Sequence, residues 1–415
     1  GGLPFLALAL LRGSECEQLL RDTHARLNSR SWGVGLLGFV PPELREEQLA
    51  AIATCKPPWA LIAGGRPDQA AQLEAQGIPT YLHVPSPGLM RRFLKSGSRR
   101  FVFEGRECGG HVGPRSSFVL WGQMCEVIEE ELASRHLEAK SLSLLFAGGI
   151  HDSLSSAMLS VMVAPLAARG VRCAALMGTA YLFTPEAIAC GAILPEFQRQ
   201  ALACRRTTLL RTGPGHAIRC AETPYCSDFE RERERLLEEG RSADEVTRAL
   251  EWLNLGRLRL ASKGIERAAD DGTAPRLESR NESDQVARGM YMLGQVAVLH
   301  DRCQSIAELH EQVSDGARKW LEPHGQVPPH VAEPAPDPCD IAIVGMACRY
   351  PGARNMAEYW RNIMEGKSTI TEVPESHWDW RLYFDPDPRA RDKIISKWGG
   401  FLDDMEFDPV PFGIT

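Results

Sequence analysis

Over its first two hundred residues the chain repeats one pattern: a short apolar, β-branched run, then a longer stretch with apolar residues three and four apart. The short runs are Leu3 to Leu10, Trp32 to Phe39, Trp59 to Ala63, Pro79 to Val84, Arg100 to Glu104, Ser141 to Ala147 and Cys173 to Phe183, and each predicts a strand. The stretches between them, such as SECEQLLRDTHARL, PPELREEQLAAIA, RPDQAAQLEAQG and SSFVLWGQMCEVIEEELA, predict helices; several open on Ser, Asp or Pro and close on Gly. Strict alternation implies a parallel sheet with right-handed crossovers, either an open doubly wound sheet or a barrel.

The placement of the glycines chooses between the two. The first strand runs into LLRGSEC with no G-x-G-x-x-G, which speaks against a dinucleotide fold. Glycine turns instead follow the last strands, in FAGGIHDSLSSAM and ALMGTAYLFTPEA. In an eight-stranded barrel the loops after strands seven and eight hold phosphate, because free N–H groups and a helix N-terminus favour an anion there. Gly148 and Gly149 would admit the phosphate, Asp152 or Ser153 would cap the next helix, and Gly178 with Thr179 would add donors. The expected fold is therefore α/β, a TIM-type (β/α)8 barrel lacking its first strand. A chain that opens on Gly1-Gly2-Leu3 fits truncation of that strand.

Beyond the barrel the pattern changes. Residues 223–321 predict a helical extension without strands: SDFERERERLLEEGRSADEVTRALEWLNLGRL alternates charge at helical spacing, and the methionines of QVARGMYMLGQVAVLHDRCQSIAELHEQV read as packing. Residues 322–338, EPHGQVPPHVAEPAPDP, hold six prolines and predict an extended spacer. The barrel would occupy 1–222, and a separate segment 339–415.

Composition narrows the function classes. A 44% hydrophobic, 24% charged chain is that of a globular protein, and a net charge of -7 without a basic block argues against nucleic acid or an anionic membrane as partner. No run of about 18 apolar residues and no signal pattern appear, so a cytoplasmic location is expected. The 12 cysteines form no C-x-x-C pair and no zinc spacing, and read as buried thiols. No metal site is expected.

GGLPF, WGVGLLGF, EGRECGGHVG, FAGGI and MGTAYLFTPEA, in that order, resemble the FMN-dependent nitronate monooxygenase and 2-nitropropane dioxygenase-like family, including its enoyl-acyl carrier protein reductase branch. The resemblance implies FMN, with NADPH or NADH as reductant. It assigns cofactor contacts to Gly2, Gly35, Glu104, Gly109, Gly110, Gly148, Gly149, Met177, Gly178 and Thr179, and a catalytic role to His111, whose neutral-range pKa suits proton transfer. Gly109 and Gly110 would leave room beside the flavin ring. Glu104 stands where the family has Gln; an ionised carboxylate accepts hydrogen bonds but donates none, so that contact requires a neutral acid or another partner. Glu107 and Arg106 read as a solvated or locally paired loop without chemistry.

After the spacer, CDIAIVGMACRYPGARNMAEYW, EVP, HWD, DPDP, WGGFL and FDPVPFGI resemble the opening of a modular polyketide synthase ketosynthase. The chain stops at Thr415, before the family's nucleophilic cysteine and histidines, and Cys348 is not that nucleophile. Together the two resemblances imply part of a polyketide or fatty acid synthase. In it, FMN-dependent reduction would act on enoyl groups borne on the phosphopantetheine of an acyl carrier protein. The partners would be that carrier and other synthase domains, with oligomer formation open through the ketosynthase. A flavin oxidase acting on nitronates and a non-catalytic docking module remain alternatives.

Overall fold

All seven apolar runs contribute strands to one parallel sheet. The computed structural model describes residues 2–9, 11–28, 30–134, 137–213, 215–267, 277–325 and 347–403. The chain divides into two units, Gly1–Val327 and Pro328–Thr415.

In the first unit the order is β1 (Phe5–Ala7), α1 (Gly13–Leu27), β2 (Gly33–Leu37), α2 (Pro42–Cys55), β3 (Trp59–Ala63), α3 (Pro67–Glu74), β4 (Thr80–His83), α4 (Pro87–Lys95) and β5 (Arg100–Glu104). There follow β6 (Gly110–Val112), α5 (Ser117–Ala133), β7 (Ser143–Ala147), α6 (Ser153–Ala168) and β8 (Arg172–Leu176). The parallel sheet runs β1-β2-β3-β4-β5-β7-β8. It is a TIM-type barrel of seven strands, and β1 and β8 do not pair with each other among the described residues.

The period of two along each strand builds two apolar layers. Phe101, Phe103, Leu144 and Phe146 face outward and pack with Met90, Leu120, Trp121 and Met124 of the helices. Trp121 donates its indole N–H to the Phe103 carbonyl at 3.2 Å and meets the Phe146 ring edge-on. The alternate residues Tyr81, Val102, Leu145 and Ala147 form a separate inner cluster with Phe5, Trp59, Leu61 and Leu176. One buried polar pair lies in that layer, Tyr81 Oη to Ser143 Oγ at 2.8 Å.

Two strands differ most from the sequence expectation. The run Cys173 to Phe183 stops as a strand at Leu176; Gly178 breaks it, and Thr179–Phe183 coils into a 3-10 turn. Of Leu3 to Leu10, three residues pair. After α7 (Pro185–Ala189) and α8 (Pro195–Ala203), β9 (Thr207–Gly213) and β10 (His216–Ala221) form an unanticipated hairpin, and β6 adds to it as a third antiparallel strand.

The extension comprises α9 (Pro224–Glu238), α10 (Ala243–Asn254), α11 (Arg257–Lys263), β11 (Ile265–Arg267), β12 (Leu277–Ser279), α12 (Glu282–Arg288), α13 (Ile306–Glu311) and α14 (Ala317–Gly325). Its described segments include one strand pair, β11–β12, where the sequence led to none. Glu266 of that pair holds Arg257, Arg280 and Arg288 together. The spacer's first residues, Glu322 to Gly325, end α14; the rest of it lies outside the described residues.

In the second unit, α15 (Met356–Glu365) is capped by Asn355, whose Oδ1 accepts from the Glu358 N–H at 2.9 Å. β13 (Ile370–Glu372) and β14 (Trp398–Gly400) pair antiparallel. Of the segments that carry the ketosynthase resemblance, CDIAIVGM and FDPVPFGI lie outside the described residues. Described cysteines are all free thiols; Cys16, Cys204, Cys220 and Cys226 are buried as expected, whereas Cys190 and Cys303 are exposed. Among the described residues no helix is long and apolar enough to cross a membrane.

Candidate functional site

The alternation that points Tyr81, Val102 and Leu145 into the barrel also sets the next inward layer, two residues on, at His83, Glu104 and Ala147. These residues end β4, β5 and β7, and with Ala7, Gly35, Leu61 and Leu176 they line a cavity of about 430 Å³ at the carboxyl ends of the strands. That face of a barrel carries its active sites, and the volume falls within the range of small-molecule pockets. The rim is built from three loops, Glu107 to Gly109 after β5, Gly148 to Ile150 after β7 and Met177 to Thr179 after β8, closed by Met292, Gly294 and Val296 of the extension.

Eight of the expected cofactor contacts come together there: Gly35, Glu104, Gly109, Gly148, Gly149, Met177, Gly178 and Thr179. Gly2, Gly110 and His111 are not among the lining residues. Gly2 lies against His310. Gly110, at φ +84°, turns the chain away from the loop into β6, where His111 pairs with Ile218 of β10 and is exposed. The motif's histidine therefore belongs to the antiparallel sheet rather than to the cavity wall.

Glycines at the rim serve different ends. A Cβ on Gly109 would come within 2.6 Å of the Leu293 backbone, so the room expected beside a flavin ring is filled by the protein's own extension. Gly149, at φ +77°, and Gly178, at φ -128°, have nothing within 4 Å of an added Cβ. Packing thus does not require glycine at 178, and the missing side chain leaves open space at the rim. The Gly149 and Gly178 N–H groups take no protein acceptor among the described residues.

The helix N-terminus beside that rim is already occupied. Asp152 caps α6 by accepting from the Ser155 N–H at 2.8 Å, as the sequence suggested, so its carboxylate stands where an anion would use the helix dipole. An anionic group at this rim is left with the loop N–H groups. Thr179 Oγ1 accepts from the Gly294 N–H at 2.8 Å and ties the extension to the rim. Thr179→Val should lower stability by about 1 kcal/mol, the worth of one such bond, and speed proteolysis near Met292; equal proteolysis rates would contradict this tie.

Glu107 takes the structural role expected of it. Its Oε2 accepts from the Ser117 N–H at 2.8 Å and the Ser117 hydroxyl at 2.7 Å, closing the first turn of α5. Glu107→Ala is expected to cost about 1–2 kcal/mol in urea unfolding, the value of a lost helix cap, and a change below about 0.3 kcal/mol would argue that the cap is replaced by solvent.

The one charged pair of the inner layer is unusual. His83 Nδ1 lies 3.3 Å from Glu104 Oε2, the geometry of an ion pair. Burial pushes the Glu104 carboxyl up to about 7, with the Cys108 thiol, which donates to it, pulling the other way. Burial likewise drives His83 down to about 4. Between those values both groups are mostly neutral, and the contact is not a salt bridge. His83 Nε2 is buried without a partner among the described residues. Glu104 is thus mostly protonated below about pH 7, one of the two outcomes that the resemblance leaves open, a neutral acid or another partner. His83 was missed because YLHV reads as a plain apolar run; the signal was its register, two residues beyond Tyr81 at a strand's carboxyl end.

These residues fit FMN. Ala7, Leu61 and Leu176 offer apolar wall to a ring, His83 and Glu104 a polar edge, and the open Gly149–Gly178 rim backbone donors for a phosphate. Met292 lines the cavity, whereas Met290 is buried in the packing of the extension.

Comparison with known proteins separates the two units. Residues 339–415 match the family model "Beta-ketoacyl synthase, N-terminal domain". Polyketide synthase PksL of Bacillus subtilis is 55% identical over 78 residues, which is 18% of this chain and 2% of that protein. The chain therefore spans a small fraction of the curated relatives it matches. The fold is shared with FabK from Thermotoga maritima, at TM-score 0.55 and 19% identity over 78% of this chain and 94% of that one. Nitroalkane oxidase from Streptomyces ansochromogenes matches at TM-score 0.54 and 18% identity, over 77% and 90% of the two chains. The chain joins a TIM-type barrel of the fold seen in FabK and nitroalkane oxidase to the opening of a beta-ketoacyl synthase N-terminal domain.

Proposed function

We propose that the cavity binds FMN and that the barrel is a flavin-dependent reductase working within a multidomain polyketide-type synthase, on enoyl groups carried by an acyl carrier protein. The observation that supports this most is the coincidence of eight family contact positions around one cavity at the carboxyl ends of the strands. The ketosynthase sequence on the same chain favours a carrier-bound substrate, because covalent fusion raises the effective concentration of a shared, tethered intermediate.

When bound, FMN supplies two-electron hydride chemistry, recharged by NADPH or NADH. The chain's residues provide the setting. Ala7, Leu61 and Leu176 exclude water from the inner wall. Loop N–H groups at Gly149 and Gly178 hold an anionic tail, and Glu104 beside His83 supplies a titratable group of the inner layer. His111, exposed on β6, has no part in this reading.

Anaerobic mixing of the full-length parent protein with FMN and NADPH tests it. Flavin bleaching followed by turnover of a crotonyl-carrier substrate is the expected result. Oxygen-dependent consumption of a nitronate without crotonyl turnover would replace the reductase by an oxidase, and failure to bind FMN would leave a docking module.

A further inference from the structure

The loop after β7 turns through two residues of positive φ, Gly148 at +119° and Gly149 at +77°. Gly149 and Ile150 both line the cavity, and neither N–H takes a protein acceptor among the described residues. Successive N–H groups in such a turn form a concavity that suits an anion. We infer that His151 is a positioning residue for this loop: its ring fixes the peptide plane that carries the Ile150 N–H, and thereby makes the site select a flavin that bears a phosphate over one that does not.

His151 Nδ1 lies 2.9 Å from the Gly149 carbonyl oxygen. A carbonyl only accepts, so Nδ1 carries the proton and donates. In a trans peptide the C=O and the following N–H point in opposite directions, so holding the Gly149 oxygen directs the Ile150 N–H to the other side. The ring itself is braced. It meets His300 edge-on at a centroid distance of 5.2 Å, and His300 stacks on Phe183 at 4.6 Å, so the extension and the turn after β8 both support it. Asp152 does not compete for the Nδ1 proton, because its Oδ2 lies 3.7 Å from Nε2 and its Oδ1 accepts from the Ser155 N–H and hydroxyl. Without the Nδ1 bond the peptide after Gly149 gains the rotational freedom of its glycine, and an anion meets one fixed donor fewer.

This role rests on the FMN reading and deepens it by naming what orients a phosphate donor. The test titrates the full chain with FMN and with riboflavin, which has the same ring and no phosphate, following flavin fluorescence. The native chain should prefer FMN. His151→Ala should bind FMN about tenfold more weakly, the worth of one hydrogen bond to a charged group, and riboflavin within about twofold of the native chain. His151→Asn, whose amide places a donor near the position of Nδ1, should recover FMN binding to within about threefold of native. Unchanged FMN affinity in His151→Ala, or equal weakening of FMN and riboflavin, overturns the inference while the flavin site stands. Loss in His151→Asn as large as in His151→Ala also overturns it, and gives the effect to ring packing on His300. A native chain that binds neither flavin defeats the FMN reading itself, and the inference with it.

Discussion

Replacing Gly178 with leucine is expected to weaken FMN binding at least about a hundredfold, or about 2.7 kcal/mol, while leaving folding intact. The φ there is negative, -128°, and an added Cβ meets no protein atom within 4 Å. The leucine side chain would fill the rim space that the ligand needs and would cover the loop N–H groups of Gly149 and Gly178. Gly109→Ala makes the contrasting case. Its Cβ would press on the Leu293 backbone at 2.6 Å, so it should lower stability and binding together. Fluorescence titration with FMN alongside circular dichroism distinguishes them. Gly178→Leu binding FMN within about threefold of the native chain would show that the rim is not the anion site.

Glu104→Gln is expected to stabilise the protein above pH 7 by up to about 3 kcal/mol relative to its effect at pH 4.5. The sign follows from the raised carboxyl. Between pH 4.5 and 7 the unfolded chain has lost this proton and the folded chain keeps it, so folding binds a proton and stability falls as pH rises. Above about pH 7 the whole penalty of a buried carboxylate is present, and glutamine removes it. His83, driven low by burial, works in the opposite direction: it costs stability as pH falls below 6.5, and does so in both proteins. Urea midpoints of the two proteins at pH 4.5, 6 and 8.5 isolate the Glu104 contribution. A constant difference across the three would mean that Glu104 titrates normally and is solvated.

The fold was readable because each strand carries both layers of a buried parallel sheet. Runs such as RFVFE and SLLFA carry apolar residues on both faces, and their spacing by helical stretches implied a parallel sheet, open or closed, with the glycine turns choosing the barrel. The cavity loops were readable because the glycines follow the last two strands. What escaped was tertiary. TTLLRTG and HAIRCA are short and lie past the last barrel strand, so nothing local distinguished a hairpin from the start of the extension. His111 was assigned to the site by its motif, yet the positive φ at Gly110 that carries it into β6 has no signature beyond the glycine itself. His83 lay hidden in an apolar run, although its register with Tyr81 determined which way it faced. Glu104 was visible as the odd residue in the motif, whereas the burial that raises its carboxyl is tertiary and had no local signature.

Hydrogen–deuterium exchange of the full chain at pH 6, with and without FMN, tests the central claim most directly. FMN should slow exchange in Gly148 to Ile150, Met177 to Thr179 and Met292 to Val296, the segments that rim the cavity, and leave the β6–β10 sheet around His111 unchanged. Protection centred on His111, or no protection at saturating FMN, would contradict it.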